Sequence, residues 1–120
     1  MWDSRKTVAS KSMPGVVLVI ARMSFARRLE LMTRVRDLAA RLEYFDAAND
    51  GKNRMESSLL GVQMDRLYLA WGLEAVLGLA IDGEPATPRA LVERGPEPLV
   101  REALGAIRAE CGLSEAEIKN

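Results

Sequence analysis

From residue 25 to residue 77 apolar side chains recur every three or four positions, and the pattern is interrupted once, by "AANDGKN" at 47–53. Two long helical periods separated by a single Asn-Asp-Gly break predict an antiparallel helix pair. The first helix is expected over 25–47. Ser24 is its N-cap, and Phe25, Leu29, Met32, Val35, Ala39, Leu42 and Phe45 form its core side. The second is expected over 54–77, where Gly61 and Gly72 each cost on the order of 1 kcal/mol relative to alanine. This second helix is apolar on two sides. Leu60, Met64, Leu67 and Trp71 make one stripe, suited to the first helix. Leu59, Val62, Leu69, Leu73 and Val76 make another, which requires the C-terminal segment or a partner.

Ahead of the pair, "KTVASKSMPGVVLVIARM" (6–23) sets Pro-Gly between two stretches rich in Val, Ile and Thr, which predicts a β-hairpin with an open edge. Behind it, residues 78–96 read as a connector. That connector holds a short helix opened by Thr87 and Pro88 and closed by Gly95. Pro96 starts a further helix near 97–110 with Leu99, Val100, Ala103, Leu104 and Ile107 on one face. Gly112 ends it, and "SEAE" at 114–117 has capping-box spacing for one more turn. The predicted fold is a single, mainly α (α+β) domain over 1–120: a short N-terminal β-hairpin followed by a long antiparallel helix pair and two to three shorter C-terminal helices, over 97–120 and in the connector.

Seventeen basic and seventeen acidic side chains leave no net charge, hence no global field to hold a polyanion or an anionic membrane. The two signs are segregated. Residues 1–54 hold eleven basic and six acidic groups, and residues 55–120 hold six and eleven, so the halves can pack on each other or pair head to tail between copies. The sequence has no histidine, which removes Ser-His-Asp and Cys-His catalysis and the commonest zinc ligand. Cys111, the single cysteine, cannot form an intramolecular disulfide. Beside a helix C-terminus its thiolate is disfavoured, so it reads as inert. Asp46 and Asp50 lack calcium-loop spacing, and Glu93, Glu97 and Glu102 read as helix-surface carboxylates, so no catalytic residue, metal or cofactor is assigned. The longest apolar run, "PGVVLVIA", is too short to span a bilayer, and no leader precedes a cleavage site; the expectation is a soluble cytoplasmic protein.

Six of the thirteen arginines lie in "RMSFARRLELMTRVRDLAAR" (22–41), which raises the question of nucleic acid. Projected on a helix, Arg27, Glu30, Arg34, Asp37 and Arg41 form one stripe of alternating sign. A DNA-reading helix would present an unpaired basic row instead. Arg36 reads as a rim residue that snorkels. Arg28 falls inside the apolar arc, which leaves three readings: the first turn extends beyond the core, Arg28 pairs with a carboxylate such as Asp65 across the helix pair, or Arg28 anchors a partner. Trp71 reads first as core and second as an interface anchor.

"VIARMSFARRLELMTRVRDL", "DRLYLAWGLEAVLGLAIDGEPATP" and "GPEPLVREALGAIRAECGLSEAEIKN" together resemble small prophage proteins of the tail assembly chaperone family of long-tailed bacteriophages. The shared pattern is a hairpin, a basic helix starting at Ser-Phe, a Trp-Gly helix end, an Ile-Asp-Gly-x-Pro-Ala-Thr-Pro connector and a Leu-Ser-Glu ending. The resemblance implies a non-enzymatic protein, working in the host cytoplasm, that binds the tape-measure protein and tail-tube subunits and does not remain in the finished particle. A homo-oligomer is compatible with it. Two alternatives stand beside it: a small nucleic-acid-binding or regulatory prophage protein using the first helix, and a structural head-tail component. For partner binding the candidate residues are Val17 and Val19 on the hairpin and Arg27, Arg28, Met64 and Trp71 on the helix pair.

Overall fold

The computed structural model describes residues 1–48 and 51–112. The Pro-Gly signal forms a tight turn. Pro14 takes its second position and Gly15 its third, with φ of +92°, and the Val16 N–H donates to the Met13 carbonyl at 3.1 Å. The turn folds β1 (Arg5–Ala9) antiparallel onto β2 (Val17–Ala21), with Thr7 opposite Val19.

The other edge of β2 is also taken, which changes the fold class. Leu73–Leu77, which the periodicity assigns to the end of the second helix, is a strand, β3, paired antiparallel with β2 so that Leu18 faces Val76. The domain is therefore α+β, not mainly α. Its three-stranded sheet has the order β1-β2-β3, and a separate two-stranded ribbon is made by β4 (Ala80–Ile81) and β5 (Glu84–Pro85) inside the expected connector. Leu, Glu and Ala favour helix in 73–75, but the unpaired edge of an apolar strand outweighs that preference. A register shift opposite Val19 and Ile20 leaves Glu74 as the extra residue of a bulge, and so hides the two-residue alternation.

The helix pair is α1 (Phe25–Ala48) and α2 (Gly51–Gly72). The expected turn residues Asn49 and Asp50, the side chains of Arg41, Leu42 and Phe45, and the extra turn at 114–117 lie outside the described residues. After the ribbon comes α3 (Pro88–Arg94), where the Thr87 hydroxyl accepts the Ala90 N–H at 3.1 Å and Pro88 occupies the first turn, as predicted from sequence. α4 (Glu97–Glu110) follows directly.

Along α4 the side chains sort into three flanks. Leu99, Ala103, Leu104 and Ile107 are buried with Leu18 and Ile20 of β2, Leu69 of α2 and Leu91 of α3. On one side of that stripe the Glu102 carboxylate accepts from the Lys11 N–H at 2.8 Å, the Ser12 N–H at 3.1 Å and the Ser10 and Ser12 hydroxyls, while Glu110 accepts the Met23 N–H at 3.1 Å. The two carboxylates thus satisfy backbone donors at the hairpin loop and at the exit of β2. On the other side Arg108 pairs with Asp65 of α2, and Arg101 lies 3.9 Å from the same carboxylate. The close approach of α4 to the α2–β3 junction depends on Gly72, where a Cβ would stand 2.8 Å from Ile107 Cγ2.

Two stability changes follow. Gly72→Val should lower stability by about 1–3 kcal/mol through overpacking against Ile107, read as a lower urea midpoint at unchanged slope. The hydrogen bonds from Ser12, Lys11 and Ser10 hold the Glu102 carboxyl at about 2, against an ordinary 4.5. Because its folded value is depressed, its contribution is complete above about 4.5 and is lost as pH falls towards about 2. Urea midpoints of the parent protein and Glu102→Gln should therefore differ at pH 6 and converge by pH 2. A gap independent of pH would contradict this.

Candidate protein-binding surface

α1 packs chiefly on α2, and this contact sets which of its sides is buried. Leu31 is 5% exposed, with Val35 half-buried beside it in the core, whereas Phe25, Leu29 and Met32 are 89%, 62% and 60% exposed. The buried arc is rotated from the one expected from sequence. α1 carries apolar residues on both arcs, and α2 selects the one holding Leu31.

This rotation settles where the arginines go. Arg27 lies on the buried side: its guanidinium stacks over the Trp71 ring, 4.6 Å from the centroid, donates to the Trp71 carbonyl and sits 3.3 Å from Glu30. Trp71 itself is 2% exposed and belongs to the core, its indole N–H without a hydrogen-bond partner among the described residues. Glu30 also takes Arg34 at 2.7 Å, and Arg36 lies 3.7 Å from Asp37, so the basic stretch neutralises much of itself. Arg28 is exposed among Phe25, Leu29 and Met32. It does not pair with Asp65, whose carboxylate is held by Arg108 and Arg101. The first turn does not extend past the core, because Arg27 in that turn packs on Trp71; Arg28 is exposed because α1 turns its other arc to α2. Its positive charge does reach Cys111, whose half-buried thiol is nonetheless pushed up by burial.

Met64 is half-buried. Val17 and Val19 are on the central strand, with both ladder edges occupied, and Val19 is buried. By the strand pleat they lie on the opposite side from Leu18 and Ile20, which are in the core. The open edges of the sheet belong to β1 and β3, and Arg5 and Lys6 place charge on β1. The six candidate residues are therefore not gathered at one place.

A concave surface lies elsewhere, between α2, α3 and α4. It consists of two adjoining cavities of about 380 and 370 Å³ that share Arg66, Leu69 and Val92. Leu69, Leu73, Val92, Val100 and Leu104 supply the apolar lining. The charges around it are mostly matched: Arg89 bonds Glu93 at 3.0 Å, Arg101 bonds Glu97 at 3.2 Å, and Asp65 is taken by Arg108. The Arg89 hydrogen bond and charge, with smaller effects from Arg94 and Arg66, hold the Glu93 carboxyl below its ordinary value. Arg66 is exposed and has no hydrogen-bonded or ion-paired partner among the described residues. Sequence reasoning identified the second stripe of α2 but not this groove or Arg66. The available signal was phase: Arg66 falls between Val62 and Leu69 on that same stripe.

No protein-family model, curated protein or solved structure matches this chain. Among the described residues no helix is long and apolar enough to cross a membrane.

Proposed function

We propose that this chain is a non-enzymatic protein-binding module that acts as a tail assembly chaperone, holding a tape-measure protein and tail-tube subunits in the host cytoplasm during assembly. The observation that carries the reading is the apolar surface of the helix pair. Phe25, Leu29 and Met32 on α1, and Met55, Leu59 and Val62 on α2, are all more than half exposed. Six large apolar side chains left in water on two adjacent helices are the composition of an interaction surface. The sequence pattern from the Ser-Phe helix start to the Leu-Ser-Glu ending supports the same family.

The nucleic-acid alternative is weakened by Glu30 and Asp37, which occupy Arg27, Arg34 and Arg36. Duplex DNA binding whose salt dependence reports several phosphate contacts would favour it over the chaperone reading, and recovery of the chain in purified particles would favour a structural head-tail role. The direct test is co-expression with a long helical tape-measure protein. Soluble client is expected to rise with the chain and to fall when Leu29 and Met32 are replaced by serine. Client solubility indifferent to the chain would overturn the proposal.

A further inference from the structure

Met55, Leu59, Val62, Arg66 and Leu69 recur at spacings of four, three, four and three, so they form one stripe along α2. At 1.5 Å per residue the stripe is about 21 Å long. Its lower end enters the groove, where Val62, Arg66 and Leu69 line the first cavity against Val92 and Val100. Its upper end is bare: Met55, Leu59 and Val62 are 76%, 53% and 61% exposed. The stripe is therefore a ridge that α3 and α4 cover for only part of its length.

Charge defines what completes it. Arg89, Arg101 and Asp65 each have a partner within the domain, whereas Arg66, which lines both cavities, does not among the described residues. An occupant therefore needs apolar side chains above and below one carboxylate. We infer that the α2 stripe and the α2–α3–α4 groove form a docking seam for an amphipathic helix of another protein, about four turns long, with an acidic residue facing Arg66. A second copy presenting its own α2 stripe in parallel register would set its arginine beside this one, and like charges there disfavour it, while an antiparallel copy centred on Val62 would set Ser58 opposite each Arg66 and not a carboxylate.

The inference specifies a surface for the protein-binding reading and rests on it. The probe is a synthetic sixteen-residue helix with leucines at three-four spacing and a central glutamate, titrated into the full chain by calorimetry. A companion peptide carries lysine at the centre. The glutamate peptide should bind the parent protein, and Arg66→Glu should weaken it by at least about tenfold, with affinity transferred to the lysine peptide. Val62→Asp should abolish both interactions. Circular dichroism should match the parent for Arg66→Glu, and its urea midpoint should fall only slightly through loss of the Arg66 charge near Glu93, since the replaced side chain is exposed and makes no hydrogen bond or ion pair among the described residues. Absence of binding, equal binding to Arg66→Glu, or a dimer in sedimentation that Val62→Asp dissociates would overturn the inference. Client solubilisation that persists in Arg66→Glu defeats the seam but not the chaperone reading. Charge-swapped peptide binding without any effect on the client does the reverse.

Discussion

The position of α4 across the sheet is the contact on which the other elements depend. Glu102 and Glu110, about two turns apart on one flank, bind backbone donors at the loop of the hairpin and at the end of β2. Between these two points the buried stripe of Leu99, Ala103, Leu104 and Ile107 covers Leu18 and Ile20. Each fully buried aliphatic side chain contributes roughly 1.5–3 kcal/mol of transfer free energy. The carboxylates add placement more than energy: they fix where along β2 that stripe sits. Once α4 lies there, Arg108 and Arg101 reach Asp65 on the other flank, and the same helix holds the lower half of α2.

A second consequence is the division of the helix pair. The lower part of α2 is bracketed by α1, α3 and α4, and Leu69 and Trp71 are buried there. α1 has no comparable support, because α2 is its principal neighbour. Its lower end is held by Leu31 in the core and by Arg27 on Trp71. A 24-residue helix is about 36 Å long, roughly twice a five-residue strand, so the pair extends beyond the sheet layer. Surface is thereby left bare on the upper half of α2, whereas Phe25, Leu29 and Met32 at the lower end of α1 are bare because that helix turns its other arc to α2. The functional proposal rests on this geometry.

Features governed by local chemistry were legible in the sequence. The Met-Pro-Gly-Val turn, the Thr87-Pro88 helix start and the Glu30–Arg34 pair need only neighbouring residues to form, and all three are present. Features governed by distant partners were not. β3 is built from residues with good helical preference, its bulge at Glu74 breaks the strand period, and its partner strand lies more than fifty residues earlier. The phase of α1 was ambiguous because both arcs are apolar, and only α2 distinguishes Leu31 from Phe25, Leu29 and Met32. Glu102 reads as an ordinary helix-surface acid, since the loop it binds is some ninety residues away in sequence. Arg66 is visible only when the groove places it between two cavities with its neighbours' charges already matched.

The domain divides into a body, locked by α4 on the sheet, and a helix pair whose first member is attached along one side. Native-state hydrogen exchange measures this separation residue by residue. The amides of Leu18, Ile20 and Ile107 should exchange only through global unfolding, while those of Leu29 to Val35 in α1 should open at a clearly lower free energy. Protection in α1 equal to that of Leu18 would contradict the account, because it would make the helix pair part of the same cooperative unit as the sheet.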